Sequence, residues 1–208
     1  MSANKKIKGT RPGATHIVGP GRQGAAEFAG WYRMRSGEAW DNLDIDAVAA
    51  LAKEVVAAQE GGRTIYVMGN GGSAATASHL ATDLCKTAAN GRDPLVKCLA
   101  LNDNVSFMTA ISNDLSYDEV FSRQLQNFVK KGDLVILVTG SGNSPNLLRA
   151  AALANRAGAK TCALLGFDGG KLMPKVDIPI LVKSDQYGVI EDLHMSIGHI
   201  IAFYLKQR

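Results

Sequence analysis

Cysteine is scarce in this sequence, and long apolar runs are missing from it. The three cysteines, Cys85, Cys98 and Cys162, are odd in number, widely spaced and form no C-x-x-C pair, which argues against a disulfide framework. No apolar run approaches the roughly 18 residues of a membrane-spanning helix, and the N-terminus has no apolar segment typical of a signal peptide. We therefore expect a protein of the reducing cytoplasm with no membrane partner, whose cysteines pack as small apolar side chains.

Acidic residues are missing from the first 22 positions, which hold five basic side chains. The whole chain has 23 basic and 19 acidic residues, so from residue 23 onward 18 basic and 19 acidic side chains nearly cancel. Because the positive charge is confined to one segment that is rich in glycine and proline, we predict a flexible basic tail over residues 1–23 and no nucleic-acid partner. Phosphate binding by this tail is the alternative.

Composition excludes the disordered and fibrous classes, since 46% of the 208 residues are apolar and 20% are charged. A chain of this length can bury the core of one α/β domain. Short apolar segments without period-two alternation, such as residues 134–139, are typical of parallel strands covered by helices on both faces. We predict one doubly wound α/β domain over residues 24–208, with strands at residues 64–68, 96–101, 134–139, 161–165 and 178–182.

Helical periodicity occupies the segments between these strands. Ile45, Val48 and Leu51 recur at helical spacing, and Gly61-Gly62 ends that helix. The apolar patterns predict helices at residues 25–34, 45–59, 74–88, 105–112, 117–129, 144–157 and 188–206. Strands that alternate with helices in this way indicate β-α-β crossovers and therefore a parallel sheet.

The first predicted strand is followed at once by a glycine-rich turn, Gly69-Asn70-Gly71-Gly72-Ser73, and then by a helix. Glycine permits positive φ angles and a close approach of the backbone, and the helix start offers unpaired N–H groups to an anion. Ser73 adds a hydroxyl donor. A simple tight turn with Ser73 as the N-cap is the alternative.

A second turn of the same kind, residues 139–145, follows the third predicted strand. It carries three hydroxyl side chains, Thr139, Ser141 and Ser144, and Pro145 suits the first position of the next helix. If the first and third strands are neighbours, both turns face one crevice at the carboxyl edge of the sheet. Two convergent loops of this kind predict a phosphate site.

Nucleotide-binding motifs fit these turns less well. Gly69-x-Gly71-x-x-Ala74 matches the dinucleotide fingerprint loosely, but that reading expects an acid at the end of the second strand, where Asp103 or Asp93 is available. It also leaves the second hydroxyl-rich loop without a purpose. Neither turn contains a lysine, which argues against a Walker-type site.

Four motifs carry a resemblance to a known family. They are residues 69–73 with His79 six positions further on, residues 110–114 ahead of residues 119–123, residues 141–146, and residues 166–171. From about Ile45 to the C-terminus, the chain resembles the phosphoheptose isomerases of the sugar-isomerase (SIS) domain family. The resemblance implies a five-stranded parallel sheet in flavodoxin-like order and a homotetramer with sites at the subunit interfaces.

The resemblance also implies a reaction and a set of site residues. The reaction is the aldose–ketose interconversion of sedoheptulose 7-phosphate and D-glycero-D-manno-heptose 7-phosphate, helped in some members by zinc. The phosphate is held by the hydroxyl groups of Ser73, Thr139, Ser141 and Ser144. The implied substrate-binding set is Asn70, Gly71, Gly72, Ser73, Asp83, Asn113, Asp114, Thr139, Ser141, Ser144 and Glu191.

The chain departs from the family pattern at several of these positions. Asp83 stands where the family has a catalytic glutamate, four residues after its histidine. Glu191 replaces a glutamine, and Gly188 replaces an aspartate three residues earlier. Thr139-Gly140 replaces a Ser-Thr pair in the second loop.

Histidines and acids on two predicted helices supply the chemistry of proton transfer. His79 and Asp83 are spaced i, i+4, so they share a helix face close behind the first loop. Asp83 can act as the base, and a surface ion pair with His79 is the alternative reading. On the last helix, His199 lies within about 80° of Glu191 and about 140° from His194. The resemblance selects His199 as the catalytic partner, and we assign His194 a structural or interface role.

Two imidazoles and two carboxylates make a donor set suited to a divalent metal. We predict one zinc ion per subunit, held by His79, Asp83, Glu191 and His199. Two other functions remain open: isomerisation of a different sugar phosphate, and non-catalytic regulation by a SIS-domain protein that binds the bacterial replication initiator. The presence of His79 and His199 argues against the regulator, because a scaffold has no need of them.

Overall fold

Five parallel strands form one sheet in the computed structural model, which describes residue 21 and residues 24–88 and 94–208. Their order across the sheet is β2-β1-β3-β4-β5, and every neighbouring pair is parallel. This confirms the predicted doubly wound α/β fold. The predicted basic tail lies outside the described residues apart from Gly21. The strands are β1 (Thr64–Gly69), β2 (Lys97–Ala100), β3 (Leu134–Thr139), β4 (Lys160–Gly166) and β5 (Ile178–Val182).

The helices lie close to the predicted segments, with three differences. The helix predicted over residues 25–34 continues to Asp41. The predicted helix over residues 74–88 is an α-helix that changes at Asp83 into one π-helical turn, because the Asp83 carbonyl accepts from the Ala88 N–H. The predicted helix over residues 117–129 divides because the Ser116 side chain caps a separate 3₁₀ turn. The α-helices are α1 (Ala25–Asp41), α2 (Ile45–Glu60), α3 (Gly72–Thr82), α4 (Val105–Asp114), α5 (Ser122–Phe128), α6 (Pro145–Ala157) and α7 (Tyr187–Gln207).

The core lies in two layers, one on each face of the sheet. Alternate side chains of β3 enter opposite layers: Ile136 packs with residues of α2, α3 and α7, and Leu137 packs with residues of α4, α5 and α6. All six residues of β3 are buried. Because helices cover both faces, the central strand β3 has no solvent-facing side, which is why it is apolar up to its last residue. The edge strand β2 is less covered, and its Lys97 and Leu99 are exposed.

The three cysteines are free thiols, and two of them are buried. Burial raises the pKa of the Cys98 and Cys162 thiols well above the usual range, which keeps them protonated and unreactive. Cys85 is exposed, so packing as a small apolar side chain holds for two of the three. Within the described part of the chain, no helix is long and apolar enough to cross a membrane.

Candidate active site

The two glycine-rich loops meet at the carboxyl edge of the sheet. Strands β1 and β3 pair directly, so the loops that follow them are neighbours. Asn70 of the first loop and Asn146 in the first turn of α6 exchange two hydrogen bonds, of 3.0 and 2.9 Å. The Tyr117 hydroxyl donates a third bond to the Asn70 side-chain oxygen, at 2.9 Å. The predicted convergence of the loops is therefore present in the structure.

Glycine is required at two positions of the first loop, Gly69 and Gly71, and a third glycine lies against a flexible side chain. Gly71 has a positive φ of 58°, a conformation that side chains rarely adopt. A Cβ atom on Gly69 would lie 2.5 Å from the Ser73 carbonyl oxygen, and one on Gly72 would collide with the Glu191 carboxylate. Asn102 closes the end of β1 by exchanging hydrogen bonds with the Gly69 backbone. This loop leads directly into the N-terminus of α3, where the Ser73 and Ala74 N–H groups donate to the Asn70 and Gly71 carbonyls in a tight first turn.

The hydroxyl groups of the second loop are oriented by backbone donors. The Thr139 hydroxyl oxygen accepts from the Gly142 N–H at 3.2 Å, and the Ser141 hydroxyl oxygen accepts from the Asn143 N–H at 3.3 Å. Neither hydroxyl donates a hydrogen bond within the described part of the chain, so each O–H proton can be donated to a ligand. Ser144 is the N-cap of α6, and Pro145 follows at the first helical position as predicted.

His79, Asp83 and His199 form a cluster between α3 and α7. The two histidine Nε2 atoms are 3.0 Å apart. One oxygen of Asp83 (Oδ2) lies 3.2 Å from Nε2 of His79 and 3.7 Å from Nε2 of His199. The Asp83 side chain is 17% exposed, against 47% for His79 and 43% for His199, so the carboxylate lies beneath the two rings. The three donor atoms lie within 4.8 Å of one another and could hold a metal ion.

Glu191, which we predicted as the fourth ligand, is not part of this cluster. Its carboxylate lies against Gly72, at the start of α3. Asn113 and Asp114 lie at the end of α4, where the Asn113 amide donates to the Asp114 carboxylate at 2.8 Å. A pocket of about 300 Å³ beside the first loop is lined by Tyr117, but not by these two residues.

His194 lies away from the cluster, in the core. Its side chain is fully buried, and Nε2 is 3.0 Å from the Leu165 carbonyl oxygen. Burial lowers the pKa of His194 to about 4, although the bond to Leu165 opposes the shift. The imidazole is therefore neutral and donates to that carbonyl, which is the structural role that we assigned to it.

The N-terminal helix contributes a contact that the sequence did not predict. The Tyr32 hydroxyl of α1 donates to the Asp192 carboxylate of α7 at 2.6 Å. Burial, the hydrogen bond to Asp192 and the nearby negative charges raise the pKa of Tyr32 well above its usual range. A Cβ atom on Gly188 would lie 2.7 Å from the Tyr32 hydroxyl oxygen, so Tyr32 occupies the space that a side chain at position 188 would need.

Three further side chains support the loops, although no role was predicted for them from the sequence: Asn102, Asn146 and Tyr117. Asn146 stands directly after Pro145 at a helix start, where a polar side chain signals a local hydrogen bond. That signal indicates a polar contact but not its partner, because Asn70 is 76 residues away. Tyr117 and Asn102 carry no comparable signal.

Comparison with known proteins gives concordant matches. A sequence profile of the SIS domain family matches residues 35–166. A probable phosphoheptose isomerase of Thermoplasma acidophilum is 38% identical over 167 residues, covering 80% of this chain and 91% of that protein. A phosphoheptose isomerase of Sulfurimonas denitrificans is 41% identical over 167 residues, covering 80% of this chain and 85% of that protein. The solved structure of a phosphoheptose isomerase from Francisella tularensis matches with a TM-score of 0.81 at 28% identity, covering 88% of this chain and 98% of that one.

Proposed function

The chain belongs to the SIS domain family, and on this premise we propose that it is a phosphoheptose isomerase, which interconverts sedoheptulose 7-phosphate and D-glycero-D-manno-heptose 7-phosphate. The observation that carries this proposal is the arrangement of two hydroxyl-bearing loops at one edge of the sheet with a His-Asp-His cluster behind the first of them. Anchoring a phosphate and moving a proton at the other end of a sugar requires both parts.

The phosphate is bound at the meeting point of the two loops. We assign its ligands as the hydroxyl groups of Ser73, Thr139, Ser141 and Ser144. The free O–H protons of Thr139 and Ser141 support this assignment. Asn70 acts mainly through its bonds to Asn146, which hold the two loops in register.

The spacing between loop and cluster suits a substrate of this length. Gly72 and His79 are seven residues apart on α3, a rise of about 10 Å. A seven-carbon chain with C–C bonds of about 1.5 Å spans roughly 8 Å when extended. A sugar whose phosphate lies at the loops therefore reaches the cluster with its first two carbons. We assign Asn113, Asp114 and Glu191 to contacts with the sugar between these ends.

Asp83 is the base that moves the proton between the first two carbons. It removes a proton from C1 of the ketose to give the enediol, and after exchange with solvent the protonated carboxyl group delivers a proton to C2. The partly buried carboxylate beneath the two rings supports this role. His79 and His199 are beside Asp83 and exchange protons with the sugar oxygens, so that His199 is the second catalytic group.

The donor atoms of the cluster fit a zinc ion. Ligand atoms around tetrahedral zinc, with bonds of about 2.1 Å, lie about 3.4 Å apart, and the three separations here are 3.0, 3.2 and 3.7 Å. His79, Asp83 and His199 would hold the ion, and Asp83 would then bind it through Oδ2 instead of acting as the free base. Glu191, whose carboxylate lies against Gly72, would not be a ligand in this arrangement. When bound, zinc polarises the carbonyl oxygen as a Lewis acid.

A homotetramer with its sites at subunit interfaces is the assembly that we propose. Its support is a group of large apolar side chains left exposed on α1 and α7. Ile200 and Phe203 follow His199 on α7 by one and four residues and are 42% and 50% exposed, and Phe28 of α1 is 41% exposed. A second subunit that covered Ile200 and Phe203 would lie beside the His-Asp-His cluster.

The metal assignment is tested by metal analysis of purified variants. We expect about one zinc per subunit in the natural chain and none in His199→Ala, which removes one of the three clustered donors. His194→Gln is the matched control, because the residue is on the same helix but in the core, and it should retain the metal. Equal zinc content in the natural chain and His199→Ala would refute the ligand set.

The two alternative functions are tested by the choice of substrate. A panel of sugar phosphates of five to seven carbons, each assayed with its dephosphorylated counterpart, should give the highest kcat/KM with sedoheptulose 7-phosphate and no turnover without the phosphate. A higher kcat/KM with another member of the panel would assign a different sugar. Binding of these phosphates without turnover would favour the regulator.

A further inference from the structure

The helix that carries Asp83 changes its hydrogen-bonding pattern at that residue. From Gly72 to Thr82 it is an α-helix, and Asp83–Thr87 form one π-helical turn. Within this turn the Asp83 carbonyl accepts from the Ala88 N–H at 2.9 Å. Such turns are rare, and they often occur at functional sites.

Thr87 behaves differently from the other threonines of the described helices. Thr76, Thr82 and Thr109 each donate the hydroxyl proton to the backbone carbonyl four residues earlier, at 3.4, 3.0 and 2.9 Å. Thr87 instead donates to the side chain of the residue four positions earlier, Oδ1 of Asp83, at 3.1 Å. The π-helical turn therefore coincides with a bond to a carboxylate.

The two oxygens of Asp83 have separate partners. Oδ1 accepts from Thr87, and Oδ2 faces Nε2 of both His79 and His199. The Asp83 carboxylate cannot rotate about its Cβ–Cγ bond without losing the hydrogen bond from Thr87 to Oδ1. The bond from Thr87 therefore fixes the direction in which Oδ2 points.

We infer that Thr87 is a positioning residue, which holds the Asp83 carboxylate with one oxygen directed at the two histidines. This inference deepens the proposed function and rests on it for its effect on catalysis. Its effect on the carboxylate and on the donor cluster is independent of the substrate. Thr87 does not itself contact the histidines in this arrangement; it acts through Asp83.

Three single variants test this role. Thr87→Val keeps the shape of the side chain and removes the hydroxyl, and Thr87→Ser restores the hydroxyl. Thr82→Val is the matched control, because Thr82 precedes Asp83 by one residue and its hydroxyl bonds to the backbone. In Thr87→Val we expect kcat to fall about tenfold or more, as for the loss of a hydrogen bond to a charged group. KM should change less than about twofold, because the phosphate loops are untouched.

Zinc affinity and the crystal structure of the variant supply readouts that do not depend on turnover. We expect the zinc dissociation constant, measured by competition with a chelating dye, to rise about tenfold or more in Thr87→Val and to stay near the natural value in Thr87→Ser and Thr82→Val. In a crystal structure of Thr87→Val, the Asp83 carboxylate should be rotated away from the histidines.

The outcomes separate this inference from the proposed function. If the natural chain isomerises no sugar phosphate, the proposed function fails, while zinc affinity and the orientation of Asp83 still decide the role of Thr87. If the natural chain binds no zinc, the crystal structure of Thr87→Val alone decides whether Thr87 positions Asp83. An unchanged Asp83 orientation in Thr87→Val overturns the inference, and so does an equal loss of kcat in Thr82→Val.

Discussion

The paired amides of Asn70 and Asn146 should account for a measurable part of both stability and substrate binding. Replacing either residue by alanine removes two hydrogen bonds between the loops, of 3.0 and 2.9 Å. A neutral hydrogen bond contributes about 1 kcal/mol, so the coupling between the two residues should be about 2 kcal/mol. Asn146→Ala should cost more than this, about 3 kcal/mol in all, because Asn146 is 2% exposed and also accepts from the Leu147 N–H.

A double-mutant cycle measures this coupling directly. The free energy of unfolding in urea is determined for the natural chain, Asn70→Ala, Asn146→Ala and the double variant, at one protein concentration so that any assembly contributes equally. The single variants should also raise KM for sedoheptulose 7-phosphate with little change in kcat, because they alter the phosphate loops. Additive effects of Asn70→Ala and Asn146→Ala on unfolding, with a coupling below about 0.5 kcal/mol, would refute the role of this pair.

Three further predictions concern substitutions that each alter a single contact. Ser141→Ala removes a hydroxyl group from the proposed phosphate site and should raise KM by about tenfold or more at similar kcat. The folded-state pKa of His194, about 4, lies below the ordinary 6.5, so below pH 6.5 the unfolded chain binds a proton that the folded chain does not. Stability is therefore complete above pH 6.5 and falls by up to about 3 kcal/mol as the pH drops to 4, a slope that His194→Gln should lack in urea unfolding. Gly188→Ala should destabilise the chain by about 1–3 kcal/mol, because the added Cβ would lie 2.7 Å from the Tyr32 hydroxyl. Adding Tyr32→Phe should restore part of that loss, and no recovery would contradict the steric cause.

The sheet could be predicted because its signals are local. The apolar segment over residues 134–139 and the glycine turn after Thr64–Gly69 each specify a strand and its end without reference to the rest of the chain. The change at Asp83 to a π-helical turn could not be predicted, since an α-helix and a π-helix share the same apolar pattern over so few residues. The predicted helix over residues 74–88 was therefore right up to Thr82 and differs only over Asp83–Thr87.

The site was predictable in the loops and less so on the helices. Glycine and hydroxyl residues after a strand predicted the two turns, as at Ser73 and Ser141, and phosphate binding by these turns stays a prediction. The spacing of His79 and Asp83 predicted a shared helix face, and the structure brings His199 to the same place. Glu191 shows the limit of helical spacing: an angle around α7 does not tell which element the side chain will meet, and here it meets Gly72.

The most direct measurement is the reaction of sedoheptulose 7-phosphate with the purified protein in D₂O, followed by NMR. We predict formation of the aldose 7-phosphate with deuterium at C2, because the base that removes the C1 proton exchanges it with solvent before returning it. Asp83→Asn, which keeps the shape of the side chain, should give neither product nor deuterium incorporation. The absence of aldose with the natural chain, or equal conversion by Asp83→Asn, would contradict proton transfer by Asp83 in a phosphate-anchored sugar.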